Sequence, residues 1–487
     1  MGHSIAQQLL SDLNQTLPTA SVLSTKEQLQ PYECDGLSVY KGLPLAVVLP
    51  ETITQVQAIM HLCQRASVPV IARGAGTGLA GGAMPTQGAV ILSLAKFNQI
   101  LEVDEKNLTA TVQPGVRNLA ISEAVSHLDL YYAPDPSSQI ACTIGGNVAE
   151  NSGGVHCLKY GLTVHNVLGL KLVGMDGEII TVGGKTLDDA GYDILALMHG
   201  SEGLLGIVVE VIVKLLPKPE LAQVVLAAFD DVEKAGKAVG DIIAAGIVPA
   251  GLEMMDALAI QAAEAYANVG YPVDAQAMVL CEVDGTVNSV ADYIAKVEKV
   301  LHEAGATEVR TSQDEAQRLQ FWAGRKAAFP AVGRLAPDYY CMDGTIPKSK
   351  LPEVLRQIAA WSEHYALPVA NVFHAGDGNM HPLILYDANA PGELEKTEAF
   401  GRQILELCVQ VGGTITGEHG VGVEKLDSMC VQFGAAELSQ FLDIKAAFDP
   451  EGLLNPGKAV PSLHRCAELG RMHVHNGELP FPELERF

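Results

Sequence analysis

The sequence predicts a mixed α/β or α+β protein of two or three domains, and three observations carry that prediction. The chain has 487 residues, more than one hydrophobic core usually organises. It is 48% hydrophobic and 18% charged, with 48 glycines, the composition of a packed, loop-rich globular protein rather than a disordered one. Along its length, apolar residues alternate between strand and helix spacing, and the pattern of alternation changes near residue 220.

Ala46 to Leu49 is a short apolar run. Thr52 to Ala66 places Ile53, Val56, Ile59, Met60 and Cys63 at helical spacing, and Val68 to Ala72 is a second strand, so the unit is β-α-β ending in a glycine loop. The runs AVILSLAKF, ILEVD and TATVQPG are strand-like, and Asn118 to His127 is helical. In VLGLKLVGMDGEIITVGG, Met175-Asp176-Gly177 is a hairpin turn between two alternating runs. Leu216-Pro217-Lys218-Pro219 marks a boundary. Beyond it, VVLAAF, VEKAGKAVGDIIAAG, GLEMMD and AMVLCEVDG alternate in the manner of antiparallel α+β. After Glu424 the sequence reads as mainly helical.

The first half carries three glycine-rich segments. Arg73-Gly74-Ala75-Gly76-Thr77-Gly78 and the residues up to Gly82 follow a strand, but a proline-containing turn and another strand come next. A dinucleotide-binding Rossmann unit needs a helix there, so that reading is disfavoured. Consecutive backbone N–H groups can still cradle a pyrophosphate, and a plain structural turn is the alternative. The second segment, Pro134 to Gly154, adds Ser137, Ser138, Thr143, Asn147 and Asn151 to its glycines, and Gly200 to Gly206 is the third. Any one of them is more often a turn than a site; three in one half favour a large, extended ligand.

The second half carries two histidine-bearing stretches. In NVFHAGDGNMHP, taking Gly376 to Asn379 as a four-residue loop pairs Ala375 with Met380 and His374 with His381. Opposed residues share a sheet face with Cβ atoms ~5 Å apart. That suits two ligands each ~2 Å from one cation. In TITGEHGVG the adjacent Glu418 and His419 diverge, so they can serve two roles.

Composition excludes several functions. There are 32 Lys+Arg against 57 Asp+Glu, and the formal charge of −25 opposes nucleic acid and anionic membrane surfaces. No apolar run approaches a spanning helix, and the first residues lack the basic start of a secretory signal, so a cytoplasmic location is expected. The nine cysteines form no CxxC pair, which argues against an iron–sulfur cluster or zinc ribbon within this sequence and suits reduced thiols.

Taken together, the three glycine segments resemble the FAD-binding domain of the vanillyl-alcohol oxidase / p-cresol methylhydroxylase flavoprotein superfamily. FWAGRK, FHAGDGNMHP, GEHGVG and LNPGK, in that order, resemble its D-2-hydroxy-acid dehydrogenase branch. PYECDGLSVY near the start and the tail RCAELGRMHVHNGELPFPELERF are most similar to the FAD-linked subunits of bacterial glycolate oxidases. The resemblance implies an α+β fold: a two-subdomain FAD-binding domain of the vanillyl-alcohol oxidase type, an antiparallel α+β substrate-cap domain, and C-terminal helices. The expected segments are 1–45 (helical start), 46–218 (FAD), 219–424 (cap and metal site) and 425–487 (C-terminal helices and tail).

The same resemblance implies site residues. Arg73, Gly74, Ala75, Gly76, Thr77 and Gly78 would hold the pyrophosphate, and Asp135, Thr143, Gly146, Asn147, Asn151, Glu202, Ile207 and Asn455 would lie near FAD. The first loop contains neither His nor Cys, so FAD is expected to be non-covalent. Glu418 would join His374 and His381 as a metal ligand, with His419 as catalytic base. Zinc is the first candidate for such a set, with manganese, iron or cobalt as alternatives. Arg325 would clamp a substrate carboxylate; Lys326 and Arg334 are alternatives, and Tyr339 and Tyr340 weaker neighbours. The implied activity is oxidation of glycolate, and of D-lactate as second substrate, with D-2-hydroxyglutarate as an alternative. A transferase of the alkylglycerone-phosphate synthase type and a non-catalytic flavin subunit are the readings from other classes. The implied partners are a second flavin-type subunit and an iron–sulfur subunit, with membrane contact only through them. The tail histidines His464, His473 and His475 are candidate docking elements.

Overall fold

The computed structural model describes residues 3–187 and 190–462; the tail histidines His464, His473 and His475 lie outside these. The protein divides into two compact units that are not contiguous in sequence. The first comprises residues 1–152, 162–217 and 419–487, the second 153–161 and 218–418. The four expected segments thus fall into two bodies. One division follows Pro217, and another separates Glu418 from His419.

The first unit holds two larger sheets and a two-stranded pair, Leu130–Tyr131 with Leu216–Pro217. The β-α-β reading corresponds to strands Ala46–Val48 and Val70–Arg73, with the helix Ile53–Arg65 between them, all parallel through the central strand Val90–Ser93. Thr52 caps that helix, its hydroxyl accepting from the Gln55 amide, and Val56, Ile59, Met60 and Cys63 face the core. A segment from the last third of the sequence extends this sheet. Val70 N donates to Leu453 O and Asn455 N donates to Val70 O, so LNPGK is pinned beside the strand that leads into the first glycine loop. The second sheet is antiparallel, in the order Ile100–Asp104, Thr109–Val112, Ile207–Lys214, Val167–Val173, Ile179–Gly183. The MDG turn closes its last hairpin with Gly177 at φ +76.

The second unit is built on one antiparallel sheet. Its order is Glu308–Thr311, Leu221–Phe229, Ala277–Gly285, Gly251–Asp256, Val369–His374, Asn379–Tyr386, Asp338–Cys341. The strands read as continuous apolar runs because helices cover them. The helices Ala257–Ala267 and Glu315–Val332 pack Ile260, Ala263, Phe321, Trp322 and Ala328 against Leu226, Met255, Met278 and Val372.

Two local expectations change. The second glycine segment contains a seven-residue helix, Ile144–Glu150, which its two glycines concealed. The histidine hairpin turns through Ala375–Gly378, so His374 faces Asn379 and His381 faces Val372, not each other. Among the described residues Cys63, Cys142, Cys281 and Cys408 are buried free thiols.

Candidate functional site

In the first unit the three glycine segments converge. A Cβ on Gly74 would lie 2.3 Å from Thr143 Oγ1, so the first loop touches the N-cap of the Ile144–Glu150 helix only because Gly74 has no side chain. The third segment closes on the same helix: Gly200 N donates to Val148 O (3.0 Å) and Glu202 N to Ala149 O (2.8 Å). Thr143 Oγ1, Asn147 Nδ2 and Glu150 Oε2 are buried there without a hydrogen-bond partner. Native interiors rarely leave such atoms unpaired, so this cluster fits a polar ligand. Gly146 and Asn147 belong to that helix, Asp135 is half-buried in the loop before it, and Ala75 and Thr77 remain on the loop.

Other expected residues are engaged within the protein. Arg73 folds back inside its loop, donating from Nη1 to Cys34 O (2.8 Å) and lying 5.5 Å over the Tyr32 ring. Gly76 covers the guanidinium at φ +71, where a Cβ would strike it. Gly78 O accepts from Gly36 N (2.8 Å), so the N-terminal segment walls the loop. Asn151 Oδ1 accepts from Val164 N (3.0 Å), and Ile207 points into the core. Asn455 Nδ2 donates to Gly82 O (3.0 Å) and Glu202 O (2.6 Å). Lys458, the last residue of LNPGK, donates to Gly82 O (2.9 Å) and to Met84 O. For these residues the structure shows bracing of the loops.

Glu202 has a further task. Its carboxylate accepts from Val421 N (2.7 Å) and Gly422 N (2.8 Å), which fixes the turn that begins at His419. Burial pushes Glu202 above the ordinary carboxylate range, and it pushes the neighbouring Glu150 well above, with Glu202 and then Asp35 adding to the rise.

In the second unit, His374, His381 and Glu418 come together within 4.8 Å of one another. The register differs from the expected one by a single pairing step, which moves each residue by two positions in the partner sum. The parity of the sheet face is therefore kept, and the two histidines are diagonal neighbours with ring centroids 5.0 Å apart. His374 Nδ1 is 2.8 Å from Glu253 Oε1, and His381 Nδ1 is 3.2 Å from Met342 O. Both oxygens are acceptors, so each Nδ1 carries its proton and each Nε2 is left for the centre. The Nε2 atoms of His374 and His381 lie 3.3 and 3.0 Å from Glu418 Oε1. Two imidazole lone pairs cannot face a carboxylate oxygen with nothing positive between them. Either protons or a cation must occupy the centre, and the residues therefore fit a divalent metal with two nitrogen ligands and one oxygen ligand.

With protons on the Nε2 atoms in place of a cation, the same contacts set the titration of Glu418 and His374. Burial would raise Glu418, but hydrogen bonds from His374 and His381 reverse this and hold it well below the ordinary range. Burial would lower His374, but Glu253 and then Glu418 hold it well above. Glu418 is itself fixed by Asp343, fully buried, whose carboxylate accepts from Thr416 Oγ1 (2.6 Å), Gly417 N (3.1 Å) and Glu418 N (3.2 Å).

Arg325 sits on the buried stripe of the helix Glu315–Val332 with Phe321, Ala328 and Val332. Its Nε donates to Glu253 Oε2 (2.9 Å) and its Nη2 is 2.7 Å from the same oxygen. Nη2 has no aligned hydrogen bond, so part of the guanidinium fork is left for another acceptor. Sequence reasoning missed Glu253, Asp343, Glu150 and Lys458. The signal for Glu253 was an acid inside the apolar run GLEMMD.

Comparison with known proteins identifies the family. Residues 44–183 match the model of the FAD binding domain, and residues 218–459 that of the C-terminal domain of FAD linked oxidases. The sequence is 62% identical to the glycolate oxidase subunit GlcD of Escherichia coli (strain K12), over 98% of this protein and 96% of that one. It is 42% identical to the subunit of the same name from Bacillus subtilis (strain 168), over 88% and 91%. The solved structure of p-cresol methylhydroxylase with substrate bound superposes with a TM-score of 0.81 at 17% identity, over 95% of this protein and 98% of that one, which shows a shared fold. The chain belongs to the GlcD family of FAD-linked oxidases and is an FAD-dependent oxidoreductase.

Proposed function

We propose that the protein oxidises glycolate to glyoxylate, with D-lactate to pyruvate as a second reaction. The cluster of His374, His381 and Glu418, its ring nitrogens aimed at one carboxylate oxygen, carries this reading. FAD held by the three glycine segments supplies the hydride acceptor, and a divalent metal, zinc first, supplies a Lewis acid that lowers the pKa of an α-hydroxyl. Thr143, Asn147 and Glu150 offer that FAD their unpaired polar atoms, and Arg73 to Gly78 offer backbone N–H groups to its pyrophosphate, without covalent attachment. Arg325 takes the substrate carboxylate on the part of its fork that Glu253 leaves open. His419, one peptide beyond Glu418 and on the turn that Glu202 fixes, accepts the hydroxyl proton. A substrate this small needs only the metal and one arginine; D-2-hydroxyglutarate requires a further cation for its second carboxylate.

Electrons then leave through partners, a second flavin-type subunit and an iron–sulfur subunit, because this sequence holds no cluster motif. We place the assembly in the cytoplasm, with membrane contact only through those partners; among the described residues no helix is long and apolar enough to cross a membrane.

The test is anaerobic flavin bleaching by glycolate, D-lactate, L-lactate and D-2-hydroxyglutarate. Glycolate is expected to bleach fastest, and bleaching by none of the four sinks the proposal. His419→Ala is expected to slow bleaching by roughly 10²–10⁴-fold with FAD still bound. An unchanged rate removes His419 from the base role.

A further inference from the structure

Glu253 joins two groups to which the proposed function gives separate tasks. One oxygen, Oε1, holds His374 Nδ1 at 2.8 Å, and the other, Oε2, holds Arg325 Nε at 2.9 Å. All three side chains are buried, with Glu253 1% exposed. Glu253 lies on the strand Gly251–Asp256, which pairs directly with the strand of His374 through Met254 and Phe373. Its carboxylate is thus carried by a rigid sheet element and has both oxygens committed. We infer that Glu253 is a positioning residue that couples the metal site to the substrate-carboxylate site, orienting His374 with one oxygen and Arg325 with the other. This rests on the metal reading above.

Two physical effects combine. A ring nitrogen that donates to a carboxylate is fixed in tautomer and rotation, so His374 presents a basic Nε2 to the centre without searching rotamers. The same carboxylate neutralises a buried guanidinium and sets the direction of its fork, so the anion taken by Arg325 and the cation held by His374 are aligned through one side group. Removing Glu253 therefore loosens both sites at once, an effect that a mere packing role does not give. Glutamine in its place keeps an acceptor for Nδ1–H but loses the charge that pairs with Arg325. Alanine loses both.

The experiment uses the full FAD-loaded protein, stripped with a chelator and titrated with zinc or manganese against a chromophoric competitor. Wild type, Glu253→Gln, Glu253→Ala and a control, Glu282→Gln, are compared. The control removes a buried carboxylate from the adjacent strand, which pairs Gly251 with Glu282. Wild type is expected to take up one metal per protein molecule. Glu253→Gln is expected to weaken metal binding by about 10–100-fold, Glu253→Ala by more, and the control to stay within about twofold. The KM for glycolate should rise in both Glu253 variants, reporting the misplaced Arg325. Metal affinities of both Glu253 variants within about twofold of wild type, or losses no larger than those of the control, overturn the inference. A wild-type protein that takes up no metal overturns instead the metal reading on which it stands.

Discussion

Glu150, Glu202 and Asp35 in the first unit are buried carboxyls that sit above their ordinary range, whereas Glu253, Glu282 and Glu418 in the second are equally buried and sit below it. Burial pushes all six upward. The difference lies in what touches them. Glu253 contacts His374 and Arg325, Glu282 contacts His156 and Arg318, and Glu418 contacts two imidazoles. In the first unit Lys425 and Lys458 lower Glu150 and Glu202 but do not outweigh burial, and Lys458 Nζ donates to carbonyls and Asn455 Oδ1. Asp256 shows that partners, not the unit, decide. It lies on the strand of Glu253 but meets only neutral donors, and burial raises it to about 6. The contrast separates two kinds of site. Carboxylates in direct contact with cations stay ionised when buried, while carboxyls without such contact are pushed toward neutrality.

The largest effect that tests this contrast is expected at Gly422. It has φ +51, and a Cβ would fall 1.9 Å from the Ala80 carbonyl oxygen. Gly422→Ala should cost about 2–5 kcal/mol, from left-handed strain plus overpacking. Thermal unfolding measures the loss, and glycolate turnover should fall with it because the His419 turn is displaced. An unaltered unfolding temperature shows that the turn is not fixed as described.

Next comes the carboxylate of Glu282. It is held at about 2 by burial, which raises it, outweighed by His156, Arg318 and Trp322, which lower it. Its ordinary value is 4.5, so the folded pKa is depressed and the contribution to stability is fully present above pH 4.5. That contribution is lost as the pH falls toward 2. The shift corresponds to about 3 kcal/mol. Denaturant unfolding of wild type and Glu282→Gln between pH 5 and pH 3 should show the wild-type advantage shrinking with acid. A constant difference refutes the cation-paired description of the second unit.

The smallest effect is expected at Glu202. Glutamine keeps the shape but can accept only one of the Val421 and Gly422 amides, leaving a buried donor unpaired at about 1–3 kcal/mol. Hydrogen exchange at Val421 and Gly422 should quicken. Protection equal to wild type at both amides means that Glu202 does not hold the turn.

How much of this was legible beforehand depended on range. The helix at Ile53–Arg65, the antiparallel second half and the missing helix after Gly82 followed from periodicity and turn chemistry, which act within a few residues. The hairpin was legible but its register was not. A four-residue loop fits at 375–378 as well as at 376–379, and only the neighbouring strands decide between them. The two histidines share a face in either register because both options preserve parity.

The sequence by itself determined the family and most of the strand and helix pattern, and it singled out His374, His381, Glu418 and His419, because motif and period are local properties of a polypeptide. Only the tertiary structure decided which groups those residues face. Glu253 is 121 positions from His374 and 72 from Arg325, and Glu202 is 219 and 220 from the amides it holds. Contacts of that length are set by sheet order and packing, to which no local period reports. That is why Arg325 and Arg73, both expected to meet a ligand directly, are first of all bound to the protein's own oxygens.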